Sequence, residues 1–112
     1  MELNYLLKKD NLSSAELQKL LKAREEGKIE FKLIDIREKF EYDEAHIVGC
    51  DKLLPTTQFQ QWAGDLLNSN ENIIIYCRTG NRTSQVQAIL KQHGKAIPHL
   101  TDGIVAYRGE IE

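Results

Sequence analysis

One segment concentrates the residue types that do covalent chemistry: Ile73-Ile74-Ile75-Tyr76-Cys77-Arg78-Thr79-Gly80-Asn81-Arg82-Thr83. An apolar run ends on a cysteine, the loop Cys77–Arg82 follows, and a helix begins. Loop amides and a helix N-terminus together make an anion cradle. Gly80 opens a backbone conformation closed to other residues, which lets N–H groups turn inward. Arg78 and Arg82 add permanent charge and planar, bidentate donors. Such surroundings favour thiolate over thiol, so the segment predicts a depressed Cys77 pKa. A cysteine already ionised at neutral pH is a nucleophile that needs no separate general base. The competing reading makes Cys77 a small buried hydrophobe, the usual fate of a free cysteine. Its strand-end position, the glycine and the two arginines favour the reactive reading.

Several elements must position this loop. Asn72–Tyr76 has β-branched residues and no alternation, as expected of a central parallel strand covered on both faces. Phe31–Ile36 reads as a second strand. Ala96–Leu100 reads as a third, although Pro98 makes it a poor central one. Ser13 and Glu16 form a capping box for a first helix, with Leu12 and Leu17 at the staple positions. Leu17, Leu20 and Leu21 line one face of that helix, and Gly27 follows its end. A short polar helix is expected over Glu38–Glu44. Pro55-Thr56-Thr57 opens another, with Phe59, Trp62, Ala63, Leu66 and Leu67 at helical spacing. The helix after the loop carries Val86, Ile89, Leu90 and His93 on one face and stops at Gly94. Asp102-Gly103 marks a turn, with a last helical turn near Val105–Arg108. Strands alternating with helices predict an α/β domain with a mainly parallel sheet. In such sheets ligands collect beyond the carboxyl ends of the strands, where Cys77 falls.

Bulk composition narrows the function classes. The chain has 112 residues, about one domain, with 15 basic and 17 acidic side chains. That balance lacks the footprint of a general nucleic-acid binder. With only two cysteines, Cys50 and Cys77, a disulfide scaffold is not expected. Neither a signal peptide nor a membrane span is legible, so the expected compartment is the cytoplasm, where thiols stay reduced. Cys50, Cys77, His46, His93 and His99 match no compact zinc spacing. His93, next to Gly94, suits a carbonyl-capping role. The Lys8-Lys9 pair and the acidic run Glu38–Glu44 read as solvated surface.

The segment Cys77-Arg78-Thr79-Gly80-Asn81-Arg82-Thr83 resembles the active-site loop of the rhodanese superfamily of sulfurtransferases. Upstream, Asp35-Ile36-Arg37, Glu41-Tyr42 and His46-Ile47-Val48-Gly49 are similar to that family's first signature. Downstream, Leu100-Thr101-Asp102-Gly103 is similar to its closing Leu-x-Gly-Gly segment, with Tyr107 at an aromatic position. The resemblance runs over about residues 12–109 in order. Departures are Val48 for a common Pro, Cys50 for a small residue such as Ala, and Asp102 for the first Gly. The resemblance implies one domain over residues 1–112, with a mainly parallel central sheet of about five strands and helices on both faces. It also implies transfer of a sulfane sulfur from a thiosulfate-like donor to a thiophilic acceptor, cyanide or a thiol, through a Cys77 persulfide. Loop amides from Arg78 to Thr83 would hold the outer sulfur, Arg78 and Arg82 would attract the donor's sulfonate, and Thr79 would offer a hydroxyl. Asp35 and Arg37 correspond to scaffold positions that orient nearby loops. An exposed acid and base at a strand end is the alternative for that pair. No cofactor, metal, nucleic acid or membrane is implied.

Three further readings remain open at the level of sequence. Cysteine phosphatases enclose about five residues between nucleophile and Arg, whereas Cys77 and Arg82 enclose four, which suits a smaller sulfur centre. A non-catalytic, partner-binding module would be marked by a lost cysteine or a collapsed loop. Cys50 is either a small core residue or a second thiol that takes sulfur from Cys77 or pairs with it.

Overall fold

Five short strands build one parallel sheet in the computed structural model, which describes residues 3–112. Met1 and Glu2, where the leader reading begins, lie outside the described residues. The strands are β1 (Asn11–Leu12), β2 (Lys32–Asp35), β3 (Lys52–Leu53), β4 (Ile73–Tyr76) and β5 (His99–Leu100), ordered β1-β5-β4-β2-β3. Four helices accompany them: α1 (Ser14–Glu25), α2 (Lys39–Glu44), α3 (Phe59–Asn68) and α4 (Asn81–Gln92). The sheet flanked by helices agrees with the expected class.

Burial explains the pattern. β4 is buried at every position, and its register sets Ile75 beside Ile34 and Tyr76 beside Asp35. Because successive side chains point to opposite faces, the apolar run feeds two cores at once. Leu33, Ile74, Tyr76 and Leu100 pack with Leu17 and Leu20 of α1. Ile34, Ile75 and Cys77 pack with Trp62 and Leu66 of α3 and with Val86 and Leu90 of α4. The helices end as the local chemistry dictates. Ser13 Oγ accepts from the Glu16 N–H at 3.1 Å while Glu16 accepts from the Ser13 N–H at 2.9 Å. At the other end Gly27 adopts φ +76°, and Lys28 N–H reaches Ala23 O at 2.9 Å, a Schellman closure.

The structure corrects three expectations. β5 lies inside the sheet, between β1 and β4, despite Pro98. The proline stands just ahead of the strand, and its carbonyl still accepts from Ile75 N–H at 3.1 Å, so the missing donor falls at the strand's mouth. Helix α4 begins at Asn81, so the loop spans only Cys77–Gly80 and Arg82 is helical. Its buried face is Thr83, Val86 and Leu90, whereas Ile89 and His93 are exposed. His93 Nδ1 does cap a carbonyl, that of Ile89, at 3.0 Å. Asp35 and Arg37 are buried, which rules out the exposed-pair alternative.

Candidate active site

Cys77 follows β4 directly and is 1% exposed. Gly80, with φ +96°, is the N-cap of α4 and has no side chain to accept the helix's first amides. In an ordinary cap a Ser or Asp oxygen would take the N–H two or three residues on. Here the sulfur takes that place. Gly80 N–H donates to Cys77 Sγ at 3.1 Å, and the Thr83 hydroxyl lies 3.5 Å from it. Burial pushes the Cys77 thiol up, but hydrogen bonds from the Thr83 hydroxyl and the Thr83, Gly80 and Thr79 amides outweigh it. The net effect holds the pKa below the ordinary thiol value.

A second segment locks the loop in place. Ile104 N–H donates to Cys77 O at 2.9 Å and Val105 N–H to Arg78 O at 3.2 Å. A glycine stands at each crossing. A Cβ on Gly80 would strike the Thr101 carbonyl, and one on Gly103, at φ +72°, the Arg78 carbonyl. The Asp102 departure falls on an exposed neighbour, so the glycine the crossing requires is kept.

The two arginines are not equivalent. Arg82 makes a fork-to-fork pair with Glu41, at 2.7 and 2.9 Å, which occupies the donors expected to meet a sulfonate. The Arg82 hydrogen bond is the main cause that holds the Glu41 carboxyl down to about 2. Glu41 was assigned above to solvated surface; the residue signal that could have corrected this is its place in the Glu41-Tyr42 signature. Arg78 is exposed and unpaired among the described residues, so it is the free cation at the rim. Thr79 offers the sulfur its amide, and its side chain is exposed. Asn81 opens α4 and is exposed.

Asp35 and Arg37 pair at 2.7 Å, and Arg37 Nη2 also donates to Ala45 O at 2.6 Å, tying the end of β2 to the end of α2. Cys50 is half-buried against the α1-side core, and its thiol donates to Lys52 O at 3.3 Å. Burial raises its pKa. The two thiols therefore belong to opposite faces of the sheet. His99, for which the sequence offered no role beyond a poor zinc spacing, is buried and joined to Thr83 and Asn11 at 2.6 and 3.0 Å.

A strand-to-helix cradle around a cysteine whose pKa lies below the ordinary thiol value, at the carboxyl edge of a parallel sheet, defines a class of α/β domains built to hold a cysteine sulfur. The sequence profile of the Rhodanese-like domain matches residues 15–110, and the chain belongs to that family. It is 36% identical over 87 residues to the Rhodanese-like/PpiC domain-containing protein 12, chloroplastic, of Arabidopsis thaliana, covering 74% of this chain and 29% of that one. It is 33% identical over 82 residues to the probable adenylyltransferase/sulfurtransferase MoeZ of Mycobacterium tuberculosis, covering 71% and 21%. Against the putative sulfur carrier protein YrkF of Bacillus subtilis the identity is 31% over 81 residues, covering 71% and 43%. The chain thus spans less than half the length of each of these relatives. Among solved structures, a rhodanese-related protein from Thermoplasma volcanium superposes with TM-score 0.74 at 20% identity, covering 93% and 98%. A rhodanese-like domain protein from Staphylococcus aureus gives 0.71 at 25%, covering 93% and 97%. No helix among the described residues is long and apolar enough to cross a membrane.

Proposed function

We propose that residues 1–112 form one sulfurtransferase unit that moves a sulfane sulfur from a thiosulfate-like donor to a thiol or cyanide through a persulfide on Cys77. The observation that carries this reading is the sulfur's place at the uncapped head of α4, with a pKa below the ordinary thiol value. The Cys77 thiolate attacks the outer sulfur of thiosulfate. A new S–S bond forms, the old one breaks, and its electron pair leaves with sulfite. An acceptor thiolate or cyanide then attacks the outer sulfur of the persulfide, and Cys77 departs as thiolate. The Thr79, Gly80 and Thr83 amides stabilise the anion in both resting forms. Arg78 draws the anionic donor to the rim, and Arg82 adds its field from beside Glu41. Asp35 and Arg37 hold the β2 end against α2. The free thiols suit a reducing compartment such as the cytoplasm. The scheme routes no step through a metal or organic cofactor.

Intact mass after incubation with thiosulfate tests the reading. We expect a gain of one sulfur atom that cyanide removes and that Cys77→Ser does not acquire. No gain across several sulfane donors would sink it in favour of a partner-binding module.

A further inference from the structure

A buried polar chain leads away from the nucleophile. Cys77 Sγ lies 3.5 Å from Thr83 Oγ1, Thr83 Oγ1 lies 2.6 Å from His99 Nδ1, and His99 Nε2 lies 3.0 Å from Asn11 Oδ1. Thr83 and His99 are 0% and 4% exposed. The hydroxyl has one hydrogen and several claimants for it. While His99 is neutral, Nε2–H donates to Asn11, which leaves a lone pair on Nδ1. Two lone pairs facing each other across so short a contact repel, so the Thr83 hydroxyl must donate to Nδ1. The Gly80 carbonyl, at 3.1 Å, is a more distant claimant. In that state Thr83 shows the sulfur only lone pairs, a match for S–H, and the Thr83, Gly80 and Thr79 amides alone are left to hold a thiolate. When His99 is protonated the order reverses. Nδ1–H donates to Thr83, and the hydroxyl hydrogen is released to the thiolate.

We infer that His99 is a positioning residue for Cys77, one that decides through the single Thr83 hydrogen whether the sulfur meets a donor, and so couples the two ionisations. The step between the two states balances within the chain. The S–H bond breaks as its proton passes to Thr83 oxygen, the proton of that hydroxyl passes to Nδ1, and the electron pair stays on sulfur. The charged groups that face His99 are Asp10 before β1, Asp102 after β5, and Cys77 itself across Thr83 of α4. Burial lowers the imidazole pKa, and the two carboxylates oppose that. Lys91 pairs with Asp10 at 2.9 Å and tempers its share.

The inference rests on Cys77 being the nucleophile of the preceding reading, but its test uses no sulfur donor. The His99 ring is titrated by NMR in the full chain, in Cys77→Ser and in Thr83→Val. Iodoacetamide alkylation is followed against pH, with Cys50 adducts separated by peptide mass. We expect His99 to titrate at lower pH in Cys77→Ser, because its imidazolium loses the thiolate. Cys77 alkylation should show two steps in the unmodified chain. Thr83→Val should reduce them to one and slow alkylation roughly tenfold in the acid step, where His99 is protonated and the hydroxyl hydrogen meets the thiolate. Thr83→Ser should restore both. An unmoved His99 titration in Cys77→Ser, or two steps surviving in Thr83→Val, would overturn the inference. A protein that passes here but gains no sulfur from thiosulfate would fail only the preceding reading.

Discussion

Glu41 shows how one carboxylate sets the working charge of the site. It accepts both the Glu38 N–H, at 3.0 Å, and the Arg82 fork, so the arginine is aimed and partly neutralised by the same contact. Arg82 still feels the sulfur, since a Cys77 thiolate helps to raise its proton affinity. By reciprocity Arg82→Leu should raise the Cys77 pKa and slow its alkylation by iodoacetamide at neutral pH. A rate–pH profile identical to that of the unmodified chain would show that amides alone set the ionisation. The pair also makes an acid-stability prediction. The folded Glu41 pKa is lowered from 4.5 to about 2, so between these values the unfolded chain binds more protons. Stability from the pair is therefore complete above pH 4.5 and is lost as pH falls towards about 2. Urea midpoints should fall across that window, and Glu41→Gln should flatten the decline.

At the scale of elements, the loop's shape comes from two segments far apart in the chain. Gly103→Ala should cost at least about 1–3 kcal/mol, because φ +72° is strained for Ala and the Cβ would meet the Arg78 carbonyl. Gly94→Ala is the control. Its φ is +85°, but nothing lies within 4 Å of the added carbon, so it carries the strain without the collision. Denaturation midpoints should rank Gly103→Ala well below Gly94→Ala, and only Gly103→Ala should also change Cys77 reactivity. Equal losses would mean that the crossing adds nothing.

The elements also show how far the sequence was legible. The capping box at Ser13, the buried run Ile73–Tyr76 and the Cys77 loop announce themselves through local chemistry. β1 and β3 did not, because at two residues each they carry no periodicity and exist only through their neighbours' hydrogen bonds. The Glu41–Arg82 pair and the Thr83–His99 contact span 41 and 16 residues, and only the fold brings them together. Pro98 misled because strand rules concern donors, and its missing donor falls where β5 has barely begun.

For the whole molecule, the sheet divides the interior into two cores that share no side chain. Ile47 belongs to the α1-side core and Ile97 to the α3–α4 side. Each Ile→Val should cost about 0.5–1.5 kcal/mol. The double variant should show the sum to within about 0.5 kcal/mol, as expected of sites without common partners. Urea unfolding of the two single variants and the double measures this. A large coupling energy would mean that strain crosses the sheet.

Under the proposed persulfide scheme, the same division governs where a captured sulfur atom goes. Cys50 and Cys77 look into opposite cores, so among the described residues no second thiol lies beside Cys77 to discharge it. Its cargo waits for a visitor at the rim. On that scheme the dwell time of the sulfur is set by the traffic of acceptors outside, and the domain acts as a store filled and emptied at the same rim.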